Sequence, residues 1–133
     1  MFKKIIIWFE KQYIVSLIIA VLIACLIFYL SSIPAANYPP GLGISTKVYH
    51  IGIYFLLALF LTLSIVKGNK KNKYFIIIAI LLAMFYATTD ELHQVFVPGR
   101  MPAFTDVMID SIGAMFAGIL YSIELILKKD TLD

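Results

Sequence analysis

Four long apolar runs, separated by short polar connections, set the pattern of this chain. The first, residues 13–30, is uncharged and long enough to cross a hydrocarbon core of roughly 30 Å as a helix. The second, residues 48–66, is interrupted only by His50 and Gly52. The third covers residues 74–93 and closes on Asp90, Glu91 and His93; the fourth covers residues 107–127, with Asp110 near its start and Glu124 near its end. Ahead of the first run, Ile5, Ile6, Ile7, Trp8 and Phe9 form a short apolar stretch predicted to lie along the membrane interface, where Trp is favoured.

Lys3 and Lys4 suit the start of a cleaved signal peptide, but Glu10 and Lys11 interrupt it. The apolar run that follows exceeds the roughly 7–15 residues of a signal core, and Ile33, Pro34 and Ala35 make a poor cleavage site. The first run is therefore read as a retained span.

Composition removes the alternative of four buried helices in a soluble protein. Of 133 residues, 62% are hydrophobic, and the mean hydropathy is +0.94, so nothing polar is left to surround such a core. The fold class is all-α, a single integral membrane domain over residues 1–133 built from four transmembrane helices. Cys25 is the one cysteine and lies within the first run, so no disulfide constrains the redox compartment. The net charge of +3 comes without basic–aromatic interleaving, which excludes a nucleic-acid partner and assigns the lysines to lipid headgroups.

Where the cations stand gives the orientation. Lys3, Lys4 and Lys11 precede the first span; Lys67, Lys70, Lys71 and Lys73 fill the connection between the second and third; Lys128 and Lys129 follow the fourth. Only Lys47 and Arg100 lie on the other side, nine against two of the 11 cations. The positive-inside rule then places both termini in the cytoplasm.

The outward side is made of two connections. Residues 31–41 are rich in turn formers and cannot prolong the first helix. The other, about residues 95–105, holds Pro98, Gly99, Arg100 and Pro102; Gly99 is free to take a positive φ and turn Arg100 back toward the bundle.

At that side the ionisable groups converge. Tyr86, Asp90, His93 and Gln94 fall at i, i+4, i+7 and i+8, one continuous helical face. Glu91 points away from Asp90 by a quarter turn or more, Asp106 and Asp110 are i, i+4 neighbours, and Lys47, His50 and Tyr54 stand at i, i+3 and i+7. Facing these inward produces one polar pocket, with Lys47 and Arg100 as partners for the acids. Ionisable groups near membrane depth cost roughly 2.5–3.5 kcal/mol each on insertion scales, so such a cluster points to a use.

Each element also has a plain structural explanation. His50 serves as an interhelical hydrogen bond, Tyr54 and Tyr86 as interface anchors, and Asp110 as a partner that closes the loop on Arg100. Gly113, Ala114, Ala117 and Gly118 form two small-residue pairs suited to close helix packing, and Glu124 suits a lysine at the inner end. Asp90 and His93 on one face resist such an explanation best.

The pattern resembles the VanZ-like family of bacterial membrane proteins. It is carried by Tyr29, Leu30, Ser31 and Ser32 with Pro34 after them, by Lys47, His50 and Tyr54, by the run Thr89 to Arg100 (TDELHQVFVPGR), and by Asp106 to Ala114 (DVMIDSIGA). Two positions depart: Ile53 stands where many members have an acid, and Asp110 where Asn is common. The resemblance implies a multi-pass protein of the bacterial cell membrane, linked through the family's name to resistance against the glycopeptide teicoplanin. Its partners would be membrane lipids, lipid-linked wall precursors or a lipoglycopeptide.

Two function classes stay open. In one, a non-enzymatic protein binds an anionic headgroup or ligand through Arg100, Lys47, His50 and His93, with Tyr54, Glu91, Gln94, Asp106 and Asp110 completing the pocket. In the other, a membrane hydrolase or transferase acts on a lipid phosphate, with His50, Asp90, His93 and Asp106 as candidate catalytic or ligating groups and Glu91 as general base. The spacing matches no established metal motif, so no metal ligand set is assigned and the cofactor is unknown. A proton-coupled transporter is disfavoured by the lack of charge deep in the first and third spans. Oligomerisation is open.

Overall fold

In the computed structural model, residues 2–37, 46–67 and 73–129 are described. Five helices follow one another: α1 (Phe2–Lys11), α2 (Tyr13–Ser31), α3 (Thr46–Val66), α4 (Tyr74–Gln94) and α5 (Phe104–Lys129), with one 3-10 turn at Ala35–Asn37. Helices α2 to α5 are each long and apolar enough to span a membrane. The spans start and end close to where the apolar runs put them; α3 and α5 begin two and three residues earlier than expected. Of the turn-forming residues of the first connection, Pro39, Pro40 and Gly41 lie outside the described residues, as do Lys70 and Lys71 of the second.

The bundle's outer surface is what lipid requires. Leu22, Phe85 and Phe116 are among the large side chains left more than half exposed along the spans. Its interior is lined with small residues. Ala58, Ala83, Ala114 and Ala117 are completely buried and form one core cluster. With no hydrophobic drive between helices in lipid, such residues let backbones come close enough for dispersion to hold them. At Gly113 the backbones of α5 and α3 come close: an added Cβ would stand 2.3 Å from the Ile51 carbonyl oxygen. The face of Gly113, Ala114, Ala117 and Gly118 is thus the seam of α5 against α3 and α4.

Helix α1 does more than rest at the interface. Trp8 is exposed, but Ile6 and Glu10 are buried, and Phe9 meets the ring of Phe60 edge-on at 5.3 Å. Tyr121 donates its hydroxyl to Glu10 Oε1 at 2.8 Å, which ties α1 to α5. The chain turns into α2 at Gln12 (φ −93°, ψ 51°), and Ser16 Oγ donates back to the Phe9 carbonyl at 2.8 Å. At the same end α3 stops on Lys67, held at φ 48°. Glycine closes helices there without steric penalty, whereas any other residue costs about 1 kcal/mol or more.

Candidate functional site

The polar cluster sits at the opposite end of the bundle, where α2 and α4 end and α3 and α5 begin. Ser31, the last residue of α2, donates to Asp90 Oδ1 at 2.6 Å. Gln94, one turn further along α4, donates to Asp90 Oδ2 at 3.3 Å and stands 3.4 Å from Glu91 Oε2, bridging the two acids. Glu91 also accepts from the Ala103 backbone N–H at 2.5 Å, which anchors the α4–α5 connection ahead of α5. Asp90, Glu91 and Gln94 are all buried. Buried carboxylates need such donors, because an unmatched one costs several kcal/mol.

His93 shares this face and reaches the neighbouring serine. Its Nε2 lies 3.0 Å from Ser32 Oγ, and its ring stacks on Phe28 at 4.6 Å. Ser32 Oγ is 2.6 Å from the Phe28 carbonyl and gives that oxygen its single proton. The hydroxyl oxygen therefore accepts from Nε2–H, an assignment inferred from the network. A serine nucleophile needs the reverse, a histidine accepting the hydroxyl proton. Among the described residues no carboxylate bonds the other ring nitrogen of His93.

Arg100 closes the site from the loop. Gly99 takes φ +76°, Pro98 accepts a backbone hydrogen bond from Ala35 N at 3.2 Å, and the arginine side chain folds onto the end of α2. Its Nε donates to Ile33 O at 3.2 Å and its Nη2 to Leu30 O at 3.1 Å. A cation at a helix C-terminus satisfies orphan carbonyls and complements the negative end of the helix dipole. Asp110 finds its partner elsewhere, in His50 of α3, with Oδ1 2.9 Å from Nδ1.

Between these pieces lies a cavity of about 30 Å³, lined by residues of α2, α3 and α4 together with Arg100. Ser31, His50, Tyr54, Asp90, Gln94 and Arg100 supply its polar wall, and Asp90 is the only carboxylate among the lining residues. Tyr54 is 1% exposed. Its hydroxyl has no hydrogen-bond partner among the described residues. A buried phenol normally finds one.

Residues 15–127 match the VanZ/LLP1 family. The chain belongs to that family. No curated relative and no solved structure matches it.

The run from Thr89 to Arg100 is thus gathered at one end of the bundle, but not every predicted pocket residue enters the cavity wall. Lys47 is exposed on the first turn of α3, and Asp106 is half-buried at the start of α5; neither lines the cavity, and Glu91, His93 and Asp110 stand beside it without entering its wall. Arg100 shares the cavity wall with Asp90 and also bonds the Leu30 and Ile33 carbonyls, while Asp110, one reading of which was to close the loop on Arg100, pairs with His50. Tyr86 is not an interface anchor: it donates to Ala24 O at 2.6 Å, joining α4 to α2. Ser31 and Tyr49, which line the cavity, and Ser32, which meets His93, were not among the pocket residues expected from the sequence. The serine pair did carry a signal, two hydroxyls at the end of an otherwise apolar span. Ile53 lines the cavity with an apolar side chain. Among the described residues no three His, Cys, Asp or Glu side chains converge to hold a metal ion.

Proposed function

We propose that this chain changes how the cell surface handles glycopeptide-type antibiotics, by holding an anionic group of an envelope lipid or lipid-linked wall precursor in a pocket that opens outward. The observation that carries the reading is Tyr54, a buried hydroxyl with no partner among the described residues, on the wall of a polar cavity. A cavity of about 30 Å³ admits a group no larger than one or two waters. One oxygen of a phosphate or carboxylate fits that space, with the rest of the headgroup at the mouth. Tyr54 would donate to that oxygen, and the imidazole of His50 and the charge of Arg100 favour an anion beside it. Asp90, the carboxylate on the wall, already accepts from Ser31 and Gln94, Glu91 accepts from Ala103 N–H, and Asp110 pairs with His50, so Tyr54 and Arg100 are the groups that would meet an added anion. The enzyme reading has less support, because His93 and Asp106, two of its four candidate groups, do not line the cavity with His50 and Asp90.

Tyr54→Phe tests the proposal. It deletes a hydroxyl that bonds nothing among the described residues, so membrane level and unfolding temperature should stay at wild type. Teicoplanin susceptibility should move to that of the deletion strain. A Tyr54→Phe strain with wild-type susceptibility, beside a deletion strain that differs, would show that the pocket is not the working part. No change on deleting the whole chain would end the resistance reading.

A further inference from the structure

At the end of the bundle away from the polar cluster, a groove of about 500 Å³ runs between the start of α2, the end of α3 and the start of α4. Leu17, Ile65, Val66 and Phe75 make its apolar wall, and Tyr13, Ser64 and Lys67 stand around it. Its volume falls in the range of small-molecule sites, roughly 300–1,000 Å³. We propose that this groove is a binding site for an anionic phospholipid of the leaflet on the α1 side, one acyl chain against Leu17, Val66 and Phe75 and the phosphate on the Lys67 ammonium.

Two features of Lys67 favour this occupant over bulk lipid. First, the lysine occupies a left-handed position, φ 48°, where glycine would end α3 without steric penalty. A charged side chain is kept at a place where the backbone disfavours any side chain. Second, its ammonium lies 4.5 Å from the centre of the Tyr13 ring, which fixes the cation at the groove instead of leaving it to wander in the headgroup layer. Lys11, at the end of α1, and Lys73, just before α4, are exposed at the same end and add positive charge at the surface, while Glu10 there is buried and bonded to Tyr121. An anionic headgroup answers that charge, and its chain answers the apolar wall. A zwitterionic lipid answers only the second.

The test uses the full chain in vesicles. Trp8 is the single tryptophan, so Trp8→Phe with Phe75→Trp places one fluorophore in the groove. Quenching is then measured with brominated phosphatidylglycerol and with brominated phosphatidylcholine. A basic residue at the surface should favour the anionic lipid about fivefold, and Lys67→Gln should bring the two lipids to parity. Native mass spectrometry of the wild-type protein gives a measurement independent of the reporter: retained phosphatidylglycerol, lost in Lys67→Gln. Equal quenching by both lipids with Lys67 present would overturn the proposal, as would a preference that survives Lys67→Gln. Retention of only zwitterionic lipid or detergent would overturn it too.

Discussion

Gly113 is the position where one methyl group should cost most. A Cβ built there would meet the Ile51 carbonyl oxygen at 2.3 Å, and the Ile51 carbonyl carbon and Cα at 3.1 Å each. Relief to ordinary contact at 3.4 Å requires α3 and α5 to part by about 1.1 Å, and the obstacle is backbone on both sides. No rotamer can absorb that. Overpacking of this kind costs about 1–3 kcal/mol, and the upper end applies because a helix has to move. In a protein of 133 residues, this lowers the unfolding midpoint on the order of 10 °C. Gly118 is the control. A Cβ there would also come within 2.3 Å of an atom, but that atom is Ile80 Cδ1, the far end of a flexible side chain. Gly52 is the second control, with nothing within 4 Å of the added carbon. Thermal unfolding in one detergent, followed by fluorescence-detected size exclusion, should rank Gly113→Ala well below Gly118→Ala, with Gly52→Ala at or slightly above wild type. Equal midpoints for Gly113→Ala and wild type would refute the reasoning, and so would a Gly118→Ala variant less stable than Gly113→Ala. Because His50 precedes Ile51 and Asp110 lies one turn before Gly113, the same separation should loosen the His50–Asp110 pair.

Three further outcomes follow from the site and the topology. A double-mutant cycle with His50→Ala and Asp110→Ala should give a coupling of about 1–2 kcal/mol in unfolding free energy, and strict additivity would dissolve the pair. Arg100→Ala should lower stability by about 1–3 kcal/mol through the lost bonds to Leu30 and Ile33, while Arg100→Lys, with no fork to span two carbonyls, recovers only part; equal stability of wild type and Arg100→Ala would remove its anchoring role. On a Cys25→Ser background, a cysteine at Ala103 should react with an impermeant thiol reagent in intact cells and one at Asn69 should not; the opposite pattern would invert the membrane orientation.

Much of the architecture was legible because a bilayer leaves few options. Runs of apolar residues about 20 long must be helices, and their order and bounds follow from where polarity returns. Gly99 was readable for a local reason: a turn dipeptide followed by an arginine announces a positive φ and a reversal. The α5 seam was readable too, since four small residues on one face have little other use. Partners across helices were not. Helical spacing puts Asp90 and Gln94 on one face, but it does not say that Ser31, 59 residues away, supplies the proton. Arg100 was harder still, because backbone carbonyls at a helix end exist in every sequence and carry no residue signature. Glu10 was passed over for the same reason. Its donor, Tyr121, is 111 residues away on the last helix.

These partners change how the acidic cluster should be understood. Three carboxylates at this end each join two parts of the chain: Asp90 holds α4 to the end of α2, Asp110 holds α5 to α3, and Glu91 holds α4 to the connection before α5. In hydrocarbon, helices are held by packing and by bonds like these, so the acids fasten the bundle whatever else they do. Removing one leaves its donor buried and unmatched, which loosens the cavity wall before any ligand is considered. A lost phenotype in an Asp90 or Asp110 variant therefore reports on the bundle and the site together. Tyr54 is different in kind. Its ring is packed and its hydroxyl serves no described contact, so Tyr54→Phe removes nothing the fold uses. Loss of phenotype there, at an unchanged unfolding midpoint, reports on the ligand alone.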